Sequence, residues 1–156
     1  MTIRTVASQA VLILTAGVLF YVALADFKHF KIRNQFILAL TALFFLYAFL
    51  SGRWVTLQWN LGFALLMFLV MLYFYVKKMM GGGDLKLLTV ALLWVGPFCA
   101  LPFALFLLLF VCVHLVAVRF NLVEARVLNG KKWIAFAPAV AAALVSVFIA
   151  GCLQPV

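Results

Sequence analysis

Five long apolar stretches alternate with short polar segments along the chain. They cover residues 5–25, 35–50, 57–76, 87–118 and 133–153. An α-helix rises about 1.5 Å per residue, so about 20 apolar residues cross the roughly 30 Å hydrocarbon core of a bilayer. The first, third and fifth stretches have about this length, and the polar residues Ser51 and Gly52 can complete the second. The pattern therefore predicts helices that span a membrane.

The fourth stretch, residues 87–118, is too long for one ordinary span. Gly96 and Pro97 interrupt it, and Pro102 follows, so the chain can turn at this point. We predict a short span over residues 85–95 and a longer one over residues 102–118. The expected fold is all-α: a polytopic transmembrane helix bundle of about six spans, which forms one domain over residues 1–156.

The basic residues give the predicted bundle a direction. With six spans and the N-terminus outside, ten basic residues lie in the cytoplasmic loops: Lys28, Lys31, Arg33, Lys77, Lys78, Lys86, Arg119, Arg126, Lys131 and Lys132. The other side holds only Arg4 and Arg53. With five spans, the four basic residues after the fourth stretch would move outside and the bias would vanish. Because cytoplasmic loops are rich in Lys and Arg, the bias favours six spans in the cytoplasmic membrane.

Composition agrees with a membrane protein. Of the 156 residues 70% are hydrophobic and 10% charged, which is too apolar for a soluble domain of this size. The net charge of +9 does not indicate nucleic-acid binding, because the basic residues are dispersed between apolar segments. Cys99, Cys112 and Cys152 lie in apolar runs without metal-ligand spacing, so we expect buried free thiols and neither a disulfide framework nor a zinc site.

The first apolar stretch also has features of a cleavable signal peptide. Arg4 precedes it, and the small residues Ala23 and Ala25 stand near its end. The run nevertheless approaches full span length, and basic residues follow it immediately. These flanking charges resist translocation of the next segment, so we favour a retained span.

Acidic residues are scarce, and their positions are informative. The chain holds only Asp26, Asp84 and Glu124. Asp26 follows the first predicted span and Asp84 precedes the fourth, so two spans separate them and both emerge on the same side. A carboxylate at a membrane border is costly unless it is paired or faces water. The run Gly81–Gly83 before Asp84 permits close approach of another chain to the backbone.

Two carboxyl groups held around one water molecule can hydrolyse a peptide bond. Their repulsion raises one pKa, so that the pair keeps a single proton. The ionised member takes a proton from the water and the protonated member polarises the carbonyl, without a metal or a cofactor. Structural roles are the alternative: Asp26 can cap a loop or pair with Lys28 or Lys31, and Asp84 can pair with Lys86 or cap a helix. Glu124 fits a solvated loop beside Arg126.

The residues around both aspartates resemble a known family. Gly81-x-Gly83-Asp84-x-Lys86 resembles the G-x-G-D-x-K signature of type IV prepilin peptidases, a branch of the intramembrane aspartyl proteases. Asp26, followed by Ile32 and Asn34, resembles that family's other aspartate motif, although Arg33 stands where proline is usual. The stretch 136–140, with Pro138, is similar to the proline-containing segment of the family's last helix.

The resemblance implies a function and a set of roles. It implies a membrane-embedded aspartyl endopeptidase that cleaves the basic leader from type IV pilin-like precursors at the cytoplasmic face, with Asp26 and Asp84 catalytic. Substrate binding or shaping of the site would fall to Gly81, Gly83, Lys86, Ile32, Asn34 and Pro138. The chain resembles the short members of tight-adherence pilus and preflagellin systems, which lack a region with paired cysteines, so we expect cleavage without methylation. Lys86 or a neighbouring lysine is a candidate to meet an acidic residue of the mature pilin.

Two other classes of function compete with the peptidase. A small proton- or cation-coupled transporter would hold acids near the bilayer midplane and carry internal repeats. A non-catalytic scaffold of a pilus or secretion machine would leave the glycine run and the placement of the acids without a purpose. We expect a prepilin-like substrate and the lipid bilayer as partners, no nucleic acid, no metal and no cofactor. The sequence carries no signal for an oligomeric state.

Overall fold

The computed structural model describes residues 3–29, 33–52, 54–120, 126–128, 131–133 and 136–152. These residues form six α-helices and one short β-hairpin. The elements are α1 (Ile3–His29), α2 (Asn34–Ser51), α3 (Trp54–Val76), α4 (Gly82–Val95), α5 (Ala100–Arg119), β1 (Arg126–Leu128), β2 (Lys131–Trp133) and α6 (Ala137–Ile149). The predicted all-α helix bundle is confirmed, with six described helices where about six spans were predicted.

Four helices are long and apolar enough to cross a membrane: α1, α2, α3 and α5. The remaining two are shorter, with 14 residues in α4 and 13 in α6, but they form the buried centre of the bundle. Nine residues of α4 and seven of α6 are buried. By contrast, most of α3 and α5 faces outward with large apolar side chains, as expected where lipid is the solvent. The protein is therefore a membrane protein with a short-helix core.

The predicted break in the fourth apolar stretch lies where Gly96 ends α4. Gly96 has a φ of 64°, a left-handed value that favours glycine. A Cβ on this residue would also collide with the side-chain amide of Asn60 in α3. That amide donates a hydrogen bond of 3.1 Å to the carbonyl oxygen of Leu93, so α3 is bonded directly to the last turn of α4.

Trp94 joins three helices inside the bundle. Its indole N–H donates a 3.1 Å hydrogen bond to the carbonyl oxygen of Leu40 in α2. Its ring packs against Phe44 and Tyr47 of α2 and against Phe148 of α6, with centroid distances of 5.4–5.6 Å. Trp94 therefore contacts both α2 and α6 from α4.

Three predictions need correction. The last helix does not begin at residue 133: Trp133 lies in β2, paired with Arg126 of β1, and α6 starts at Ala137. Cys99 and Cys152 are not free thiols but form a disulfide, with Cα atoms 6.1 Å apart. The sequence did not predict this bond, because both cysteines lie in apolar runs. The bond depends on the turn after α4 meeting the end of α6. Cys112 is free, as predicted, but exposed rather than buried.

Candidate active site

Asp26 lies in the last turns of α1, which continues to His29, past the predicted end of the span. Its side chain is only 5% exposed. The carboxylate oxygen Oδ2 accepts a hydrogen bond of 3.1 Å from the backbone N–H of Ala137, the first residue of α6. A buried carboxyl group needs such a donor, because water is not available to solvate it. The contact joins two residues 111 positions apart.

Asp84 lies in the first turn of α4 and is half-buried. Gly81 caps the helix with extended backbone, and its carbonyl oxygen accepts the N–H of Leu85 at 3.0 Å. The Asp84 carboxyl group folds back over this cap. A Cβ added to Gly81 would lie 2.9 Å from Oδ2 of Asp84, so the glycine leaves the space that the carboxyl group occupies.

The structure brings the two aspartates to the same end of the bundle. Burial and the nearby charge of Asp26 raise the pKa of Asp84 from 3.8 to about 6, with burial the larger cause. Asp84 precedes the uninterrupted apolar part of α4, which begins at Leu87. A pKa raised by burial and by a second carboxyl group is typical of functional sites.

The segments after the two aspartates also meet. The Nζ atom of Lys86 donates a hydrogen bond of 3.0 Å to Oδ1 of Asn34, at the start of α2. Lys86 therefore binds Asn34. The structural alternative in which Lys86 pairs with Asp84 is not what the structure shows. Arg33 precedes α2 with a φ of −76°, close to the value that proline enforces, so arginine keeps the backbone that a proline would give.

One sequence comparison identifies the family. The sequence model of the type IV leader peptidase family matches residues 13–118, which is more than half of the chain. The chain belongs to the type IV leader peptidase family. The matched range contains Asp26, Asp84 and the helices α2 to α4, and it ends before α6 begins. Neither the curated proteins nor the solved structures contain a match to the chain.

Membership of the leader peptidase family implies a peptidase in a membrane. The transporter and the scaffold lose support accordingly. Across the residues that the structure describes, no three His, Cys, Asp or Glu side chains come together as metal ligands would.

The structure describes some of the remaining candidate site residues of this leader peptidase and not others. Gly83 lies in the first turn of α4, and Pro138 lies in the first turn of α6, next to Ala137. Ile32 lies outside the described residues, as do Glu124 and Lys31, so the predictions about them remain predictions.

One group at the site was missed from the sequence. It is the backbone N–H of Ala137, and a main-chain donor leaves no side-chain signal. The only hint was its neighbour Pro138, because proline is favoured in the first turn of a helix.

Proposed function

We propose that this protein is an aspartyl endopeptidase that removes the basic leader from type IV pilin-like precursors at the cytoplasmic membrane face. One observation carries the proposal: Asp26 and Asp84, from helices far apart in the chain, lie within electrostatic reach of each other at one end of the bundle. Two such carboxyl groups that share a proton can hydrolyse a peptide bond without a covalent intermediate.

The proposed reaction has two steps. First, the ionised carboxylate takes a proton from water, the water oxygen bonds to the carbonyl carbon, and the protonated carboxyl group gives its proton to the carbonyl oxygen. A neutral gem-diol results. Then the C–N bond breaks as the first carboxyl group passes its proton to the leaving nitrogen. A gem-diol hydroxyl returns a proton to the other, so both groups recover their starting forms.

The substrate class follows from the family and from the place of the site. A pilin-like precursor carries a basic leader before a hydrophobic helix, so its scissile bond reaches the membrane border when that helix enters the bilayer. We place Asp84 at such a border because it precedes the uninterrupted apolar part of α4, which begins at Leu87. The cap at Gly81 leaves room for the carboxyl group of Asp84 beside the start of α4.

The orientation has two independent supports. The loops at the aspartate end carry most of the Lys and Arg residues, which is typical of the cytoplasmic side. The Cys99–Cys152 disulfide lies at the other end, since Cys99 follows α4 and Cys152 follows α6, whereas Asp84 and Ala137 stand where these helices begin. Disulfides persist in oxidising compartments, so this end suits the outside of the cytoplasmic membrane.

Coexpression with a candidate prepilin tests the proposal. Leader removal is followed on a gel, and membrane fractionation confirms that each variant is inserted. Asp26→Asn and Asp84→Asn should each abolish processing. Glu124→Gln, which alters the third acid of the sequence, is the control and should process normally. Processing at the normal rate by either aspartate variant would refute the proposal.

A further inference from the structure

The two aspartates differ in what donates to them. Asp26 accepts the N–H of Ala137 at 3.1 Å and is buried. Asp84 accepts no hydrogen bond from any group in the part of the chain that the structure describes. The pair is therefore chemically asymmetric before any substrate arrives.

A backbone donor distinguishes the two protonation states of a carboxyl group. A hydrogen bond from N–H stabilises the carboxylate more than the acid, and charge-assisted bonds of this kind are about twice as strong as neutral ones. Each aspartate also lies near the positive end of a helix: Asp84 in the first turn of α4, and Asp26 against the first N–H of α6. Asp26 also lies in the last turn of α1, whose dipole disfavours a carboxylate, and burial disfavours the charged form of both groups. The direct hydrogen bond from Ala137 acts in the opposite direction on Asp26, and Asp84 has no such donor among the described residues.

We propose that the N-terminus of α6 holds Asp26 as the carboxylate of the pair, which leaves Asp84 as the proton-bearing carboxylic acid. On the proposed function, Asp26 is then the base that takes the proton from water. Asp84 is the acid that gives its proton to the carbonyl oxygen. Ala137 acts through Asp26 and is a positioning residue.

The titratable and charged groups on the neighbouring helices include Tyr75 of α3, whose ring lies next to Gly82 of α4, and Lys77 and Lys78, which follow α3. None of these groups donates a hydrogen bond to either aspartate in the described part of the chain. From α4 the groups are Asp84 itself and Lys86, which is bound to Asn34. Helix α6 carries no titratable side chain, and the titratable residue of α2 is Tyr47, far along the helix. Arg33 precedes α2 and is exposed, while Lys28 and His29 follow Asp26 on α1. The raised pKa of Asp84, with Asp26 acting on it as a negative charge, has the same direction.

The composition of the chain allows a direct test. Asp26 and Asp84 are the only aspartates, so protein labelled with ¹³C at the aspartate carboxyl carbon gives two resonances. Asp26→Asn and Asp84→Asn each delete one resonance and so assign both. In wild-type protein in lipid nanodiscs, the first deprotonation should appear on the Asp26 resonance, at least about one pH unit below that of Asp84. The reverse order would overturn the proposal.

A variant isolates the donor. Ala137→Pro removes the N–H at a helix position that accepts proline, and it should raise the titration midpoint of Asp26 toward that of Asp84. Ala137→Gly keeps the N–H and should leave the order unchanged. Ala137 is fully buried, so the larger ring can disturb the fold. The chemical shift of the Ala137 amide proton in wild-type protein is therefore also followed, and it should change with the titration of Asp26. An amide shift that stays constant while Asp26 titrates would contradict the proposal.

The outcome is separable from the proposed function. The titration requires no substrate, so the order of deprotonation can fail while the aspartate variants still lose processing. Conversely, if the coexpression assay refutes the peptidase proposal, the two resonances and their order of titration can still be measured.

Discussion

The ammonium group of Lys86 on α4 and the side-chain oxygen of Asn34 on α2 lie 3.0 Å apart, in a hydrogen bond between residues 52 positions apart. Lys86 comes two residues after Asp84, and Asn34 comes eight residues after Asp26. The bond therefore ties together the two segments that hold the aspartates. Its loss should let the start of α2 move relative to α4.

The Lys86–Asn34 bond should contribute to processing through position. An exposed hydrogen bond is worth about 0.5–1.5 kcal/mol, so Lys86→Ala and Asn34→Ala should each slow cleavage by a few-fold to about tenfold. The double variant should lose no more than either single variant, because one bond is broken in all three. Cleavage rates with a purified prepilin measure this, and Lys77→Gln is the control. If Lys86 instead meets an acidic residue of the pilin, Lys86→Ala will lose rate and Asn34→Ala will not.

Gly81→Ala should lower activity without unfolding the protein. The added methyl group would meet Oδ2 of Asp84 at 2.9 Å, and the free end of that side chain can rotate away at little cost. The carboxyl group would then leave the position in which the charge of Asp26 acts on it. Cleavage should fall on the order of 10- to 100-fold, while the thermal melting temperature stays close to that of wild type. Gly62→Ala on α3, where no atom lies within 4 Å of the new Cβ, is the matched control and should cleave normally. Wild-type cleavage by Gly81→Ala would show that the cap does not set the carboxyl position.

Stability should fall as pH rises toward the raised pKa of Asp84. Its pKa is about 6 in the folded protein and 3.8 ordinarily, so between these values the folded state binds the proton more tightly than the unfolded chain. This contribution is fully present below about 4, declines up to about 6 and is then lost. Melting temperatures in detergent across this range measure the slope. Asp84→Asn should remove most of it, and an unchanged slope in that variant would assign the effect to other groups.

The disulfide should leave one thiol for labelling. In denatured, unreduced protein a maleimide should attach once, at Cys112, and after reduction three times. Reduction should also lower the melting temperature, because the bond closes a loop of about 50 residues and such loops stabilise by about 2–4 kcal/mol. Cys112→Ser should leave that temperature unchanged. Three labels before reduction would show that Cys99 and Cys152 do not pair.

The hydropathy pattern by itself determined the helices of this protein. A bilayer offers backbone groups no water, so an apolar run of sufficient length must close its hydrogen bonds within a helix. The break at Gly96 followed from residues that end helices, and the common side of Asp26 and Asp84 followed from the number of spans between them. These properties depend only on local sequence and on whether the number of spans between two residues is even or odd.

The tertiary structure decided which residues meet. Lipid tails are as apolar as the helix surfaces, so hydrophobicity does not fix how each helix rotates about its axis or which neighbour it faces. The Ala137 donor to Asp26, the Lys86–Asn34 bond and the Cys99–Cys152 disulfide all depend on that rotation. The hydropathy pattern also extended the last span to Trp133, because it does not show that this residue pairs with Arg126 in a strand outside α6.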